Sequence, residues 1–298
     1  MNGKSLPMPG GEGEMILLTG ATGTTGQETV RQLLEKGAPF RVMTRDIERA
    51  KTILGPDLDY VAGDFAAPET LAAAFDGIER LSLLCAFAEK MVSLELNAVA
   101  AAKRAGIRHI VKMSAIGSAP DAPTKIRRWH GEIEQRIERE GFAYTNLWPN
   151  AFMQNFRRFA PFIKNDGVFY AAIGESRVAL VDVVDVAAVT VAALTEDGHE
   201  EQTYEITGPR AYSYGECAEI LSRILNRTVR FESVSMDASH KALVDAGLPA
   251  SLADALIEID QMFIDGFGAP VTDVVDRVVG RPPRSFEVFA RDNTDSFT

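Results

Sequence analysis

Cysteine is scarce in this sequence: Cys85 and Cys217 are the two thiols in 298 residues. Two are too few for a disulfide framework, and neither has a Cys or His neighbour at metal-ligand spacing. Both are therefore expected as buried thiols in a reducing compartment, with no metal site. Long apolar runs are missing too; each is interrupted within about ten residues, well short of a membrane span. The opening stretch MNGKSLPMPGGEGE carries one lysine and no apolar segment, so it is not expected to be a signal peptide. Residues 1–13 are expected as a flexible leader, and the protein as cytoplasmic. Basic charge is in the minority, 31 Lys and Arg against 42 Asp and Glu, for a formal net charge of −11. That balance argues against nucleic-acid and anionic-membrane partners and suits a soluble protein acting on small molecules.

What is present is a rhythm. Short apolar runs recur at Met15–Thr19, Phe40–Thr44, Leu58–Ala62, Ile78–Leu84, Ile107–Met113 and Ala143–Trp148, separated by segments of helical apolar spacing. Thr25–Lys36 shows that spacing, and longer helices are predicted over Lys90–Ala105 and Thr124–Glu140. Gly37, Gly106 and Gly141 each stand just past a helix, where a left-handed cap favours the absence of Cβ. Strands alternating with helices imply a doubly wound parallel sheet of the Rossmann type, predicted over 14–149. After Pro149 the rhythm loosens. Helices are predicted over Ala151–Lys164, Asp185–Leu194, Ser213–Leu225 and from Met236 onward. Short strands are predicted near Val168–Ala171, Arg177–Val181, Gln202–Thr207 and Val229–Ser233. Residues 150–298 therefore read as a smaller, mostly helical substrate lobe at the carboxyl ends of the first-half strands, where open α/β sheets hold ligands.

The strongest motif is Thr19-Gly20-Ala-Thr22-Gly23-Thr24-Thr25-Gly26, between the first strand and a helix. Gly20 permits the turn, Gly23 allows close approach of a pyrophosphate, and Gly26 lets the helix sit on the sheet. The helix N-terminus offers free N–H groups to an anion. The second strand ends Thr44-Arg45-Asp46. A planar guanidinium there suits a 2′-phosphate, while Asp46 is expected to cap the next helix, which favours NADP(H) over NAD. Asp46 facing the ribose is the other possibility. Asp64 and Phe65 follow the third strand, where adenine would lie, although Asp64 is equally readable as a turn residue. Cys85, Ala86 and Phe87 end the fourth strand and would line the passage to the nicotinamide, or simply fill core. Ser114 closes the fifth strand, and the next helix carries Trp129, His130 and Glu134. His130 is the candidate acid or polarising group, with Ser114 beside it; hydrogen bonding of His130 to Glu134 is the structural reading.

These motifs, with Tyr144-Thr-Asn-Leu-Trp148-Pro149-Asn150-Ala-Phe152-Met153-Gln-Asn155, resemble the NmrA-like group of atypical short-chain dehydrogenases/reductases over nearly the whole chain. The resemblance implies NADP(H) at Gly20, Gly23, Gly26 and Arg45. It also implies that Asn150, Phe152 and Met153 face nicotinamide and substrate, with Pro149 in the turn. Phe87, Trp129, His130 and Phe156 complete the candidate substrate residues. The Tyr-x-x-x-Lys pair of typical short-chain dehydrogenases is absent, since no tyrosine follows Ser114 before Tyr144. Without that phenol, the expected chemistry is hydride delivery to an electron-poor acceptor such as a quinone, dye, imine or enone. The group also contains redox sensors that bind the dinucleotide without turnover, and a sensor signalling to a protein partner is the alternative function. A monomer or homodimer is expected.

Overall fold

The structure, a computed structural model, describes residues 14–298, so the leader expected over 1–13 lies outside the described residues. The chain begins β1 (Ile16–Leu18), α1 (Thr24–Lys36), β2 (Phe40–Thr44), α2 (Ile47–Leu54), β3 (Asp59–Ala62), α3 (Leu71–Phe75) and β4 (Arg80–Leu83). It continues α4 (Met91–Ala105), β5 (His109–Met113), α5 (Lys125–Arg139), β6 (Ala143–Pro149), α6 (Ala160–Asp166), β7 (Val168–Ala171), β8 (Arg177–Val178), α7 (Val183–Thr195) and β9 (Gln202–Ile206). β10 (Tyr212–Ser213), α8 (Tyr214–Leu225), β11 (Arg230–Ser233), α9 (Met236–Asp245), α10 (Ala250–Ile264), α11 (Val274–Val279), α12 (Phe286–Asp292) and α13 (Thr294–Phe297) complete it.

The expected Rossmann-type sheet is present. Its strand order is β3-β2-β1-β4-β5-β6-β9, and the ladders from β3 across to β6 are all parallel. β1, with Ile16, Leu17 and Leu18 all buried, lies inside the sheet, as a continuous apolar run should. The order reverses between β1 and β4, which is the switch point where ligands of such sheets bind. Thr19 ties the two strand ends together: its hydroxyl donates to the carbonyls of Ser82, at 2.9 Å, and Leu84, at 3.0 Å. Gly37, Gly106 and Gly141 all have positive φ, as their position past a helix implies.

The chain divides into two compact units. Unit 1 takes residues 14–114, 129–147 and 187–204; unit 2 takes 115–128, 148–186 and 205–298. Phe75, Leu81, Ile110 and Ile133 belong to the core of unit 1, and Phe156, Phe169, Phe286 and Phe289 to that of unit 2. No helix among the described residues is long and apolar enough to cross a membrane.

Three expectations for the second half needed correction. The helix over 151–164 is a 3₁₀ segment, Met153–Phe159, followed by α6, which restarts with Pro161 in its first turn. A proline has no N–H to extend a preceding helix but fits the start of a new one. The strand over 177–181 shrinks to β8, because the N–H groups of Ala179 and Val181 go to the carbonyls of Gly268 and Ala151. The strand expected near 202–207 is present, as β9; what changes is its place, at the edge of the central sheet and not in the second lobe.

Candidate functional site

The glycine loop lies at the switch point, and its backbone leaves no room for side chains. Gly20 has φ of +64°, and a Cβ there would lie 2.9 Å from the Leu84 carbonyl. A Cβ on Gly26 would come within 2.3 Å of the Gly20 oxygen and 2.5 Å of the Ala21 Cα. The Gly23 N–H closes the turn onto the Gly20 carbonyl at 3.0 Å. α1 then starts without a side-chain cap and without an acidic residue in its first turn. Its first N–H groups are left to an outside acceptor, and Gly20, Gly23 and Thr24 are exposed there. Thr22 is half-buried, while Thr25 is buried under the loop. This is a cradle that fits a pyrophosphate.

At the end of β2 the two neighbouring charges have different tasks. Asp46 caps α2, accepting from the Arg49 N–H at 3.0 Å. Arg45 is exposed and has no hydrogen-bond or carboxylate partner among the described residues. Its guanidinium fork is therefore available to a phosphate. After β3, Asp64 accepts from the Ala66 N–H at 2.9 Å, as a turn aspartate does. Phe65 is buried in the core of unit 1, so its ring is not an open face for adenine.

Past β4, Cys85 is half-buried and its thiol is pushed up to about 11 by burial and by the nearby Glu95 carboxylate. It is a neutral thiol. Ala86 and Phe87 are exposed. The Phe87 ring lies 6.1 Å from that of Trp129, tilted by 45°. The structure thus brings together two aromatics far apart in sequence.

Below them lies a buried charge cluster. Lys112, fully buried on β5, pairs with the equally buried Glu95 of α4 at 2.9 Å. Its ammonium also donates to the Met113 carbonyl and to His130 Nδ1, at 3.0 Å from the latter. An ammonium can only donate, so Nδ1 accepts and the proton of a neutral ring sits on Nε2. Burial, reinforced by the Lys112 charge, holds His130 well below the ordinary histidine range, so the ring is neutral. Burial pushes the Glu95 carboxyl up, against the pull of Lys112. Ser114 is buried and donates to Glu134. The i, i+4 spacing of His130 and Glu134 therefore serves two different partners.

The residues beyond β6 belong to unit 2. Pro149 is buried, and Asn150 is pinned at both ends of its amide. Its Nδ2 donates to the Gly268 carbonyl at 2.8 Å, and its Oδ1 accepts from the Ala151 N–H at 2.8 Å. Phe152 is half-buried. Met153 and Phe156 are fully buried, the Phe156 ring lying 4.7–5.6 Å from those of Phe159, Phe169, Tyr214 and Phe286. Enclosed on all sides, these two side chains are core rather than pocket lining.

Lys112 and Glu95 escaped sequence reasoning. Their signal was a single charge inside each of two apolar stretches, Ile110-Val-Lys112-Met and Val92-Ser-Leu-Glu95-Leu. A charge buried alone is prohibitive, so each such residue implies a partner.

The NmrA-like family model matches residues 12–284 of this chain. An NAD(P)H azoreductase of Xenophilus azovorans is 39% identical over 283 residues, covering 95% of this chain and 99% of that protein. The NADPH-dependent quinone oxidoreductase of Escherichia coli, solved in complex with NADPH, superposes with a TM-score of 0.85 at 26% identity, covering 94% of this chain and all of the other. The triphenylmethane reductase of Citrobacter sp., complexed with NADP(H), gives 0.82 at 26% identity over 93% and 99% of the two chains.

Proposed function

This chain belongs to the NmrA-like family, and from that premise we propose that it reduces a small, electron-poor acceptor with hydride from NADPH. It is an NAD(P)H-dependent oxidoreductase with NADP(H) as cofactor; the quinone, dye, imine or enone character of the acceptor is our inference. The observation that carries the reading is the uncapped start of α1 on a loop closed to side chains, with Arg45 unpaired beside it. The loop and helix end would hold the pyrophosphate, and Arg45 the 2′-phosphate. The bound dinucleotide supplies the hydride.

The rest falls to side chains. Phe87 and Trp129 offer an aromatic surface for a planar acceptor. His130, neutral and with its proton on Nε2, is suited to donate a hydrogen bond to an oxygen or nitrogen that gains negative charge. Lys112 fixes that tautomer and so acts as a positioning residue. No phenol is required, because an electron-poor acceptor needs orientation more than proton transfer.

The test follows the absorbance of reduced nicotinamide while the protein is offered NADPH and a panel of quinones, azo and triphenylmethane dyes, cyclic imines and enones. Steady oxidation with at least one class is expected. His130→Ala should then lower kcat while leaving NADPH affinity nearly unchanged. Inactivity across the whole panel, with NADPH binding intact, would overturn the reading in favour of a sensor.

A further inference from the structure

A groove of about 970 Å³ opens within unit 2, lined by residues 123–127, by α9 and by α10. Met236, Ile257, Met262 and Phe267 give it an apolar lining. Two of its polar groups lack the partners that burial demands. Arg127 is 9% exposed. Its Nε donates to the Gly117 carbonyl at 2.6 Å, its Nη1 reaches only the Met262 sulfur at 3.7 Å, and its guanidinium lies 4.3 Å from the centre of the Phe267 ring. Among the described residues it has no carboxylate partner. Burial accordingly pulls its pKa down.

Thr124, one turn earlier, is 7% exposed, and its hydroxyl has no hydrogen-bond partner among the described residues. A threonine just before a helix ordinarily caps it. Here the Thr124 hydroxyl accepts from none of the first-turn N–H groups, and the N–H of Lys125 is taken by Glu258 Oε2 at 2.5 Å. The hydroxyl is left over. An orphaned hydroxyl and a guanidinium without a carboxylate partner in one apolar groove have donor capacity to spare, and buried polar groups short of partners call for an explanation.

The charge around the groove decides what kind of acceptor fits. Asp237, Asp254 and Asp265 line it with Glu258, and its other basic side chain, His240, is already engaged with Asp254 at 2.9 Å. Four carboxylates disfavour an anion. A neutral oxygen on a flat apolar body satisfies both donors and leaves the carboxylates in water. We propose that this groove binds an uncharged planar ring compound through an acceptor oxygen received by Arg127 and Thr124, its ring lying on Met262 and Phe267. The surrounding carboxylates exclude anionic congeners of the same ring. The site rests on unit 2 alone and stands whether or not the chain turns over NADPH.

The test is calorimetric titration of the full chain, without dinucleotide, with chromone and with chromone-2-carboxylate. Chromone is itself an enone, but the titration contains no NADPH and is read through Thr124→Val, so failure here and failure of the reductase reading are separate outcomes. Chromone is expected to bind at least about tenfold more tightly than its carboxylate. Thr124→Val, which removes only the hydroxyl, should weaken chromone by about three- to tenfold, and Arg127→Met by about tenfold or more. Asp254→Asn should narrow the gap between the two ligands. The proposal is overturned if chromone does not bind, if Thr124→Val binds it like the parent protein, or if the carboxylate binds more tightly. Arg127→Met also removes the contact with the Gly117 carbonyl. Thr124→Val therefore keeps the test decisive should that variant unfold.

Discussion

Two adjacent residues, Arg45 and Asp46, carry opposite charges and divide the work at the end of β2. Because the Asp46 carboxylate is committed to the α2 N–H groups, it does not neutralise its neighbour. Arg45→Ala should therefore weaken NADPH by about tenfold to a hundredfold and NADH hardly at all, as read by fluorescence titration of each cofactor. Equal losses would show that Arg45 does not read the 2′-phosphate. The Asp46 cap was legible in the sequence, and so was a guanidinium at the strand end, since both are local features. The Lys112–Glu95–His130 cluster was not, because it depends on which strand and helices meet in space. Likewise, Met153 and Phe156 were readable as apolar, but not as enclosed.

At the scale of the element, the β1–loop–α1 unit was fully readable because every requirement in it is local: an apolar run, three glycines at fixed spacing and an amphipathic helix. Gly26 shows how tight the unit is, since the atoms that a Cβ would strike are backbone and cannot rotate away. Gly26→Ala should force α1 off the loop and weaken NADPH binding by at least about a hundredfold, corresponding to some 3 kcal/mol, while α1 itself loses no intrinsic propensity. Retained cofactor affinity in a folded Gly26→Ala protein would show that the loop does not hold the pyrophosphate. The elements that sequence reasoning misjudged are those whose fate is settled by distant partners. Gln202–Ile206 has the pattern of a short edge strand anywhere, and only the tertiary fold decides that it completes the central sheet. Nothing in the residues Ala179–Val181 reveals that their N–H groups would be taken by Gly268 and Ala151.

Over the whole molecule, two groups shifted by burial, one in each unit, respond to acid with opposite signs. In unit 1, burial and then the Arg80 charge depress His109 to about 4. Its unfolded value is near 6.5, so the unfolded chain binds the proton first, and stability falls as pH drops from about 6.5 towards 4. In unit 2, burial raises Asp260 to about 6 from an ordinary value near 3.8. There the folded state binds the proton first, and stability rises as pH falls through that window. Between pH 7 and 5, His109 should cost about 2 kcal/mol and Asp260 return about 1. Urea unfolding at both pH values should show a smaller acid loss for His109→Gln and a larger one for Asp260→Asn. Unchanged pH dependence in both would sink the assignment.

The interleaving of the units also bears on how the protein is made. The glycine loop precedes β9 by about 175 residues, yet its unit takes in 187–204, including most of β9. On the ribosome, the loop emerges into a sheet that still lacks an edge, and it waits about 175 residues for that edge to arrive. Cofactor binding at that stage would have to be supported by a partial sheet. The nascent chain is thus most exposed to strand-edge mispairing during the synthesis of unit 2 residues 148–186.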